Sequence, residues 1–202
     1  SKIQDKIFFV FNTHFDHYSD SARTESSALL LLKIKEIAEG FPVIITGDFN
    51  FSEYSQGYKI IVDGIFPSLK FSETMKITKS DSFGPSGTYN GYTNPNPYSK
   101  IDFIFVNPFI QVNRHGIIDE RPGGVYISDH FPVFTDLTLY YPQEPVVPVL
   151  SAISGDGEIM LLWDELSEKE TEEPLKNNEN DFEGYRLYRS RDPYMKDAQL
   201  VP

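Results

Sequence analysis

Apolar residues in this chain fall into short runs, and polar residues follow each run directly. Ile7 to Phe11 is continuously apolar and β-prone, which predicts a buried strand. Asn12-Thr-His-Phe-Asp-His17 leaves its end. Asp20 or Ser21 is placed to cap the helix that follows, and Gly40 to stop it. In that helix Leu30, Ile34, Ile37 and Ala38 fall on one face, with Arg23, Lys33 and Glu36 on the solvated side. Pro42-Val-Ile-Ile-Thr46 is the next apolar strand, and Gly47-Asp-Phe-Asn50 follows it. The order strand, helix, strand predicts a layered α/β fold.

Ser52 to Gly64 reads as a short helix broken by Gly57. Residues 72–99, rich in Ser, Thr, Gly, Asn and Pro, read as a long loop of the kind that often carries function. Three further strands are predicted: Ile101 to Val106, Gln111 to Ile118 and Phe131 to Leu139. Arg121-Pro-Gly-Gly124 is a turn between the last two. Tyr140 to Pro148 is spaced by prolines and reads as a linker. Beyond it, short alternating runs at Leu150 to Ile153, Glu158 to Asp164 and Glu183 to Arg189 predict strands of a β-sandwich. Three strands fall short of the roughly seven such a sandwich holds, so the module is expected to be incomplete. The acidic stretch from Glu165 to Asp181 reads as a solvated loop.

Composition narrows the function. The net charge of −12 is uneven, because residues 1–141 carry 12 basic and 16 acidic side chains and the remainder 6 and 14. An acidic surface disfavours a long nucleic-acid track but not a small phosphorylated substrate held through a cation. With no cysteine, disulfides, thiolate metal sites and a cysteine nucleophile are excluded. No apolar run reaches the ~18 residues that span a membrane. The first residues form no signal peptide, and a chain that opens almost at once on a core strand reads as a window on a longer protein.

The candidate chemistry sits at the strand ends. Gly47-Asp48-Phe49-Asn50 is consistent with an Asx turn. If the segment stays extended, Asp48 and Asn50 instead point the same way, one to take a proton or orient water, the other to donate to a phosphoryl oxygen. Three more runs share this pattern: Asn12 to His17, Lys100-Ile-Asp102-Phe-Ile-Phe, and Ser128-Asp129-His130-Phe-Pro-Val. Asp129 is a hard oxygen donor suited to Mg²⁺ or Mn²⁺. Asp102, an acid within an apolar run, needs a paired neighbour. Lys100 is one partner; His130 is the other, since a working histidine is usually oriented by a carboxylate. His14 can donate to a phosphate oxygen. His14 and His17 also invite a zinc reading, against which no third soft ligand lies nearby. His115 reads as a surface or sheet histidine. Arg23 can reach a phosphate or lie on a solvated helix face. Tyr89, Asn90 and Tyr92 can bind substrate, the rings by stacking on a base or sugar.

Taken in order, the four runs resemble the C-terminal half of the endonuclease/exonuclease/phosphatase superfamily, over residues 5–141. The resemblance implies part of a four-layer α/β sandwich and metal-dependent hydrolysis of a phosphoester. It further implies that His14 contacts the phosphate, Asp48 orients or deprotonates water, and Asn50 stabilises the transition state. Asp129 would belong to the Mg²⁺ (or Mn²⁺) site, and Asp102 would hold His130. The family's early Asn and metal-binding Glu have no counterpart motif in this stretch. The later part resembles a fibronectin type III domain, with Trp163 in the place of its core tryptophan. Expected divisions are 1–141 for the hydrolase half, 142–149 for the linker and 150–202 for the partial sandwich. The resemblance also implies a secreted or periplasmic bacterial protein acting on a small phosphorylated substrate or a nucleic-acid end. The competing reading is a non-catalytic binding or adhesion module; it predicts decay of the six residues His14, Asp48, Asn50, Asp102, Asp129 and His130, all of which are present.

Overall fold

A computed structural model describes residues 2–3, 6–93, 99–141, 147–156, 159–165, 172–173, 179–180, 186–192, 194 and 196–201. The chain divides into two compact units, Ser1–Tyr141 and Pro142–Pro202. Most of the expected linker (142–146), residues 183–185 of the third sandwich strand, and most of the acidic stretch lie outside the described residues.

The first unit has a mixed α/β fold. It opens on the short pair β1 (Lys2–Ile3) and β2 (Lys6–Ile7), followed by β3 (Phe9–His14), α1 (Asp20–Ala38), β4 (Val43–Asp48) and α2 (Gln56–Asp63). Next come β5 (Ser72–Glu73), α3 (Thr74–Ile77), β6 (Asp102–Val106), β7 (Ile110–Ile117) and β8 (Val133–Leu139), with a 3₁₀ turn at Pro122–Gly124. β3, β4, β6 and β5 form one sheet in that order; β3 and β4 are parallel, and β6 runs antiparallel to β4 and to β5. β7 and β8 form an antiparallel pair with an irregularity between Val112 and Arg114.

The alternation of side chains along the strands sorts the layers. Val43, Ile45, Phe103 and Phe105 face α1 and α2, where they pack with Leu31, Ile34, Ala38, Tyr58 and Ile61. Ile44 and Val106, on the other face, meet Ile110, Val112, Leu137 and Leu139 of the second sheet. Within the first unit the described residues therefore build three layers: helices, sheet, sheet.

Several local expectations need correction. The first strand runs from Phe9 to His14 and is not buried: Phe9 and Phe11 lean on the helix layer, while Val10 on the other face is 47% exposed. Ile7, at 46% exposure, pairs in the β1–β2 ribbon. Ser19 caps α1, its Oγ accepting from the Ala22 amide at 3.2 Å. The buried positions of α1 are Ser27, Leu31, Ile34 and Ala38, which leaves Ile37 52% exposed. That spacing keeps the stripe centred on Ile34, one residue away from the expected face.

Gly57 does not break α2. Ser55 caps the helix and Gly57 lies in its first turn, where an added Cβ would stand 2.9 Å from Ser27 Oγ and 3.0 Å from the Phe51 ring. Glycine there lets the two helices approach closely. The expected long loop is also partly ordered, since β5 and α3 occupy its start. Glu73 accounts for this: it is 3% exposed, with Lys100 Nζ 2.7 Å from one carboxylate oxygen and the Tyr58 hydroxyl donating at 2.8 Å to the other.

In the second unit, β9 (Leu150–Ser154) pairs with β10 (Ile159–Trp163), β11 (Glu172–Glu173) with β12 (Glu179–Asn180), and β13 (Tyr188–Arg189) with β14 (Gln199–Leu200), all antiparallel. Trp163, in β10, is 46% exposed.

Candidate active site

One row of the central sheet organises the site. His14 of β3 is the register partner of Asp48 of β4, and Asp48 is the register partner of Asp102 of β6. Residues in one cross-strand row project from the same face. Because β3 and β4 are parallel, His14 and Asp48 both stand at carboxyl ends, where α/β sheets place their sites.

Gly47 makes the row possible. A Cβ on it would lie 2.0 Å from the Thr13 carbonyl oxygen, and its φ of +154° is one that L side chains rarely adopt. Phe49 is the anchor on the other side. It is fully buried and packs edge-on against Phe15 and Phe105 with ring centroids 5.1 and 5.4 Å away. With Phe49 held in the core, Asp48 is fixed at the rim of the cleft.

His130 completes the cluster from the segment before β8. Its Nδ1 lies 2.7 Å from Asp102 Oδ2. An ionised carboxylate only accepts, so Nδ1 carries the proton. Its Nε2 lies 3.8 Å from Asp48 Oδ2, and His14 Nε2 lies 3.4 Å from the same oxygen. The Tyr89 ring packs edge-on against the His130 ring at 5.2 Å. An open cleft of about 430 Å³ runs over the row, lined among others by Asn12, His14, Thr46, Asp48, Asp102 and Phe131.

Burial raises the pKa of Asp102 above the ordinary carboxylate range. Hydrogen bonds from Thr88 and His130 oppose that shift, and the negative charge of Asp48 adds to it. Ligand atoms of Asp48, Asp102 and His130 lie within 4.8 Å of one another, a spacing that suits a bound metal ion. Two converging carboxylates match the oxygen preference of Mg²⁺ or Mn²⁺, and the like charge felt by Asp102 is what a cation would relieve. His17 stands outside this group and is exposed, packed edge-on with Tyr18.

The remaining candidates lie elsewhere or are engaged differently. Asn50 has φ +51°, so the segment turns after Asp48 and the extended geometry does not hold. An Asx turn forms instead, with the Asn50 amide donating to Asp48 Oδ1 at 2.9 Å and its Nδ2 donating to the Phe15 carbonyl at 3.0 Å. Asp129 is outside the cluster of candidate ligands; its carbonyl accepts from the Asn90 and Gly91 amides at 2.7 and 3.1 Å. Asn90 is 3% exposed, and its Nδ2 donates to the Ser128 carbonyl at 3.1 Å, so it is a brace rather than a substrate contact. Tyr89 and Tyr92 stay open to solvent at 42% and 61%. Arg23 pairs with Asp20 and donates to the Asp16 carbonyl at 2.8 Å, which fixes the entry to α1 and not a group in the cleft. Lys100 pairs with Glu73 and leaves Asp102 to His130. His115 is buried in β7, with Nδ1 2.9 Å from Thr74 Oγ1.

Two residues of the site escaped the sequence reading. Asn12 shares the cleft face with His14, two positions along β3, and its Oδ1 accepts from Thr46 Oγ1 at 2.9 Å. The period-two alternation of a strand was the signal that could have found it. Thr88 stands behind Asp102, and no sequence pattern marks it.

Comparison with known proteins supplies the class. Residues 3–130 match the sequence profile of the Endonuclease/Exonuclease/phosphatase family, and the chain belongs to that family. The endonuclease/exonuclease/phosphatase from Bacteroides vulgatus is similar at 33% identity and a TM-score of 0.58, over 67% of this chain and 51% of that one. The mannosyl-6-phosphatase Bt3783 of Bacteroides thetaiotaomicron is similar at 33% identity and a TM-score of 0.56, over 64% and 51%. A conserved protein of unknown function from Enterococcus faecalis matches at 26% identity and a TM-score of 0.57, over 64% and 49%. This chain thus spans about half the length of these structures. A search of curated proteins gave no match. No helix among the described residues is long and apolar enough to cross a membrane.

Proposed function

We propose that the protein hydrolyses a phosphoester bond by a metal-assisted attack of water, and that its substrate is a small phosphorylated molecule, a sugar phosphate first among them. The observation that carries the reading is the row His14–Asp48–Asp102 with His130 bonded to its end. It combines a base for water, a buttressed imidazole and a second imidazole at one cleft. The 33% identity to a mannosyl-6-phosphatase favours the sugar phosphate, and the net charge of −12 disfavours a polyanion track.

In this reading Asp48 accepts the proton of the attacking water, whose oxygen bonds to phosphorus as the ester P–O bond breaks. The departing oxygen takes a proton from solvent. His130, held by Asp102, presents Nε2 to the phosphoryl oxygens, and His14 donates to another. Asn50 acts partly through its backbone, which fixes Asp48; by the family resemblance its Nδ2, which also donates to the Phe15 carbonyl, stabilises the transition state. The carboxylates of Asp48 and Asp102, and Asp129 by the family resemblance, would be the donors for Mg²⁺ or Mn²⁺. Such an ion neutralises phosphoryl charge when bound. Tyr89 and Tyr92 flank the sugar.

The test is a panel of phosphoesters, including hexose 6-phosphates, dinucleotides and single-stranded oligonucleotides, assayed on the full-length protein with Mg²⁺ and with EDTA. Metal-dependent release of phosphate from a sugar phosphate, lost in Asp48→Asn, is expected. Turnover unchanged by EDTA or by Asp48→Asn would overturn it.

A further inference from the structure

We propose that Thr88 is the positioning residue of the Asp102–His130 pair. Asp102 and His130 belong to segments that meet only through tertiary structure. Asp102 opens β6, while His130 lies in the irregular run before β8. A 2.7 Å bond between them requires both backbones to be held independently of that bond.

Thr88 holds both. Its side-chain oxygen accepts from the Ile101 amide at 3.0 Å and from the Asp102 amide at 3.1 Å. Its carbonyl accepts from the Phe131 amide, next to His130, at 2.7 Å. It is fully buried, so water offers those groups no substitute. The hydroxyl proton is available to the Ser99 carbonyl, 3.4 Å away, and to the Asp102 carboxylate, and the Thr88 amide donates to the Ser99 carbonyl at 3.2 Å. The two acceptor sites and one donor of the hydroxyl are therefore all used. The residues after Thr88 extend the splint: Tyr89 bridges to His130, and the Asn90 amide donates to the Asp129 carbonyl at 2.7 Å. Thr88 does not touch the cleft, so its role is to set the separation and angle of the pair, to which a hydrogen bond of this length is sensitive.

The kinetic consequence rests on the phosphoesterase reading; the structural one does not, and the experiment separates them. In the full-length protein, the Nδ1 proton of His130 is followed by NMR, together with amide exchange at Ile101 and Asp102. Thr88→Val keeps the shape and removes the acceptors. It is expected to speed exchange of both amides about fivefold or more and to broaden away the His130 Nδ1 proton signal. Thr88→Ser, which restores the hydroxyl, is expected to retain both signals. Turnover of the sugar phosphate should fall about tenfold in Thr88→Val with KM within about twofold, and recover in Thr88→Ser. A folded Thr88→Val protein with an intact His130 signal and unchanged exchange overturns the proposal. If Thr88→Val does not fold, the wild-type protein decides: exchange at Ile101 and Asp102 as slow as at Phe103 supports it, and exchange at loop rates overturns it. A wild-type protein that is inactive on every phosphoester, yet shows the expected NMR response, sinks the functional reading and supports the role of Thr88.

Discussion

Asp48 and Asp102 stand opposite each other across the β4–β6 pair, two acids in one register position of a sheet. Like charges at facing positions destabilise a sheet. Burial, aided by Asp48, holds the pKa of Asp102 above its ordinary value. A raised carboxylate pKa means that folding disfavours the charged form, so this contribution is fully present at acid pH and is lost as pH rises through the folded value. A divalent cation at the pair should reverse the penalty. At a metal concentration about 100-fold above Kd the gain is about 2.7 kcal/mol. Thermal melts near pH 7 should rise on adding Mg²⁺ or Mn²⁺ and fall with EDTA. Asp102→Asn should be no less stable than wild type in EDTA and should lose most of the metal response. A melting temperature indifferent to metal would overturn the assignment of these two acids.

The second prediction concerns His130 and Asp102, whose 2.7 Å contact makes them one unit. His130→Ala and Asp102→Ala should each lower kcat by at least ~10²-fold in the full-length enzyme. Measured at saturating metal, the double variant should be little worse than His130→Ala alone, because the remaining role of Asp102 is to hold the ring. Stopped or steady-state kinetics on proteins shown to be folded will decide; fully additive losses would mean that the residues work independently.

Much of this arrangement was legible because apolar runs end where polar residues begin. β4, β6, β7 and β8 lie close to their expected positions, since a run of β-branched and aromatic residues between turns has few other solutions. What was not legible depends on the backbone after the strand. Asn50 adopts a left-handed conformation because Asp48 Oδ1 captures its amide, and a two-residue spacing cannot reveal that. Arg23 shows the same limit, since its partners Asp16 and Asp20 are set by how the chain enters α1. Thr88 is invisible for a different reason: its value lies in hydrogen bonds to amides 13 and 14 positions away. The four runs do bring His14, Asp48, Asp102 and His130 into one cluster: the sheet register aligns the first three, and the bond to Asp102 holds the fourth.

Gly47 offers a test of that register. Alanine there would place a methyl 2.0 Å from the Thr13 carbonyl, which is backbone and cannot move without parting β3 from β4. Gly47→Ala should cost ~3 kcal/mol or more. Gly57→Ala meets the Ser27 hydroxyl and the Phe51 ring at 2.9 and 3.0 Å, side chains that can shift, and should cost less. Denaturant midpoints of the two variants will compare them; equal losses would show that the close strand approach at Gly47 is not essential.

His115 gives the fold a pH dependence of the opposite sign to that of Asp102. Burial lowers its pKa; Glu73 pushes it up and Lys100 pushes it down by smaller amounts. If the Thr74 hydroxyl proton goes to the Ile104 carbonyl at 3.1 Å, the neutral ring donates its Nδ1 proton to Thr74. A depressed histidine pKa contributes stability above the unfolded value of about 6.5 and loses it as pH falls through the folded value. Between pH 8 and pH 5 the wild-type melting temperature should therefore drop more than that of His115→Gln. The same drop in both would show that His115 is not the responsible group.

The last prediction concerns the buried carboxylate of Glu73. Its side chain is 2% exposed, and Lys100, 15% exposed, stands 2.7 Å from Oε1. Tyr58 donates to Oε2 at 2.8 Å, and burial pushes its phenol up to about 12, so it remains a donor throughout the working range. Lys76 is 3.8 Å away on the same oxygen and is shared with Glu53 at 2.8 Å. Removing Lys100 alone leaves a desolvated carboxylate with one neutral donor and a distant cation. Breaking a buried pair in this way typically costs ~3 kcal/mol or more, while replacing both partners with neutral groups costs far less. Lys100→Met should therefore be strongly destabilising, Glu73→Gln milder, and the double variant more stable than Lys100→Met alone. Urea titrations of the four proteins form a double-mutant cycle, and a coupling energy above ~1 kcal/mol is expected. The cycle also bears on the site, since Lys100 precedes Asp102 by two residues and fixes the chain where β6 begins. Additive losses would mean that Glu73 is held by Tyr58 and Lys76, and that Lys100 does not anchor the entry to the strand that carries Asp102.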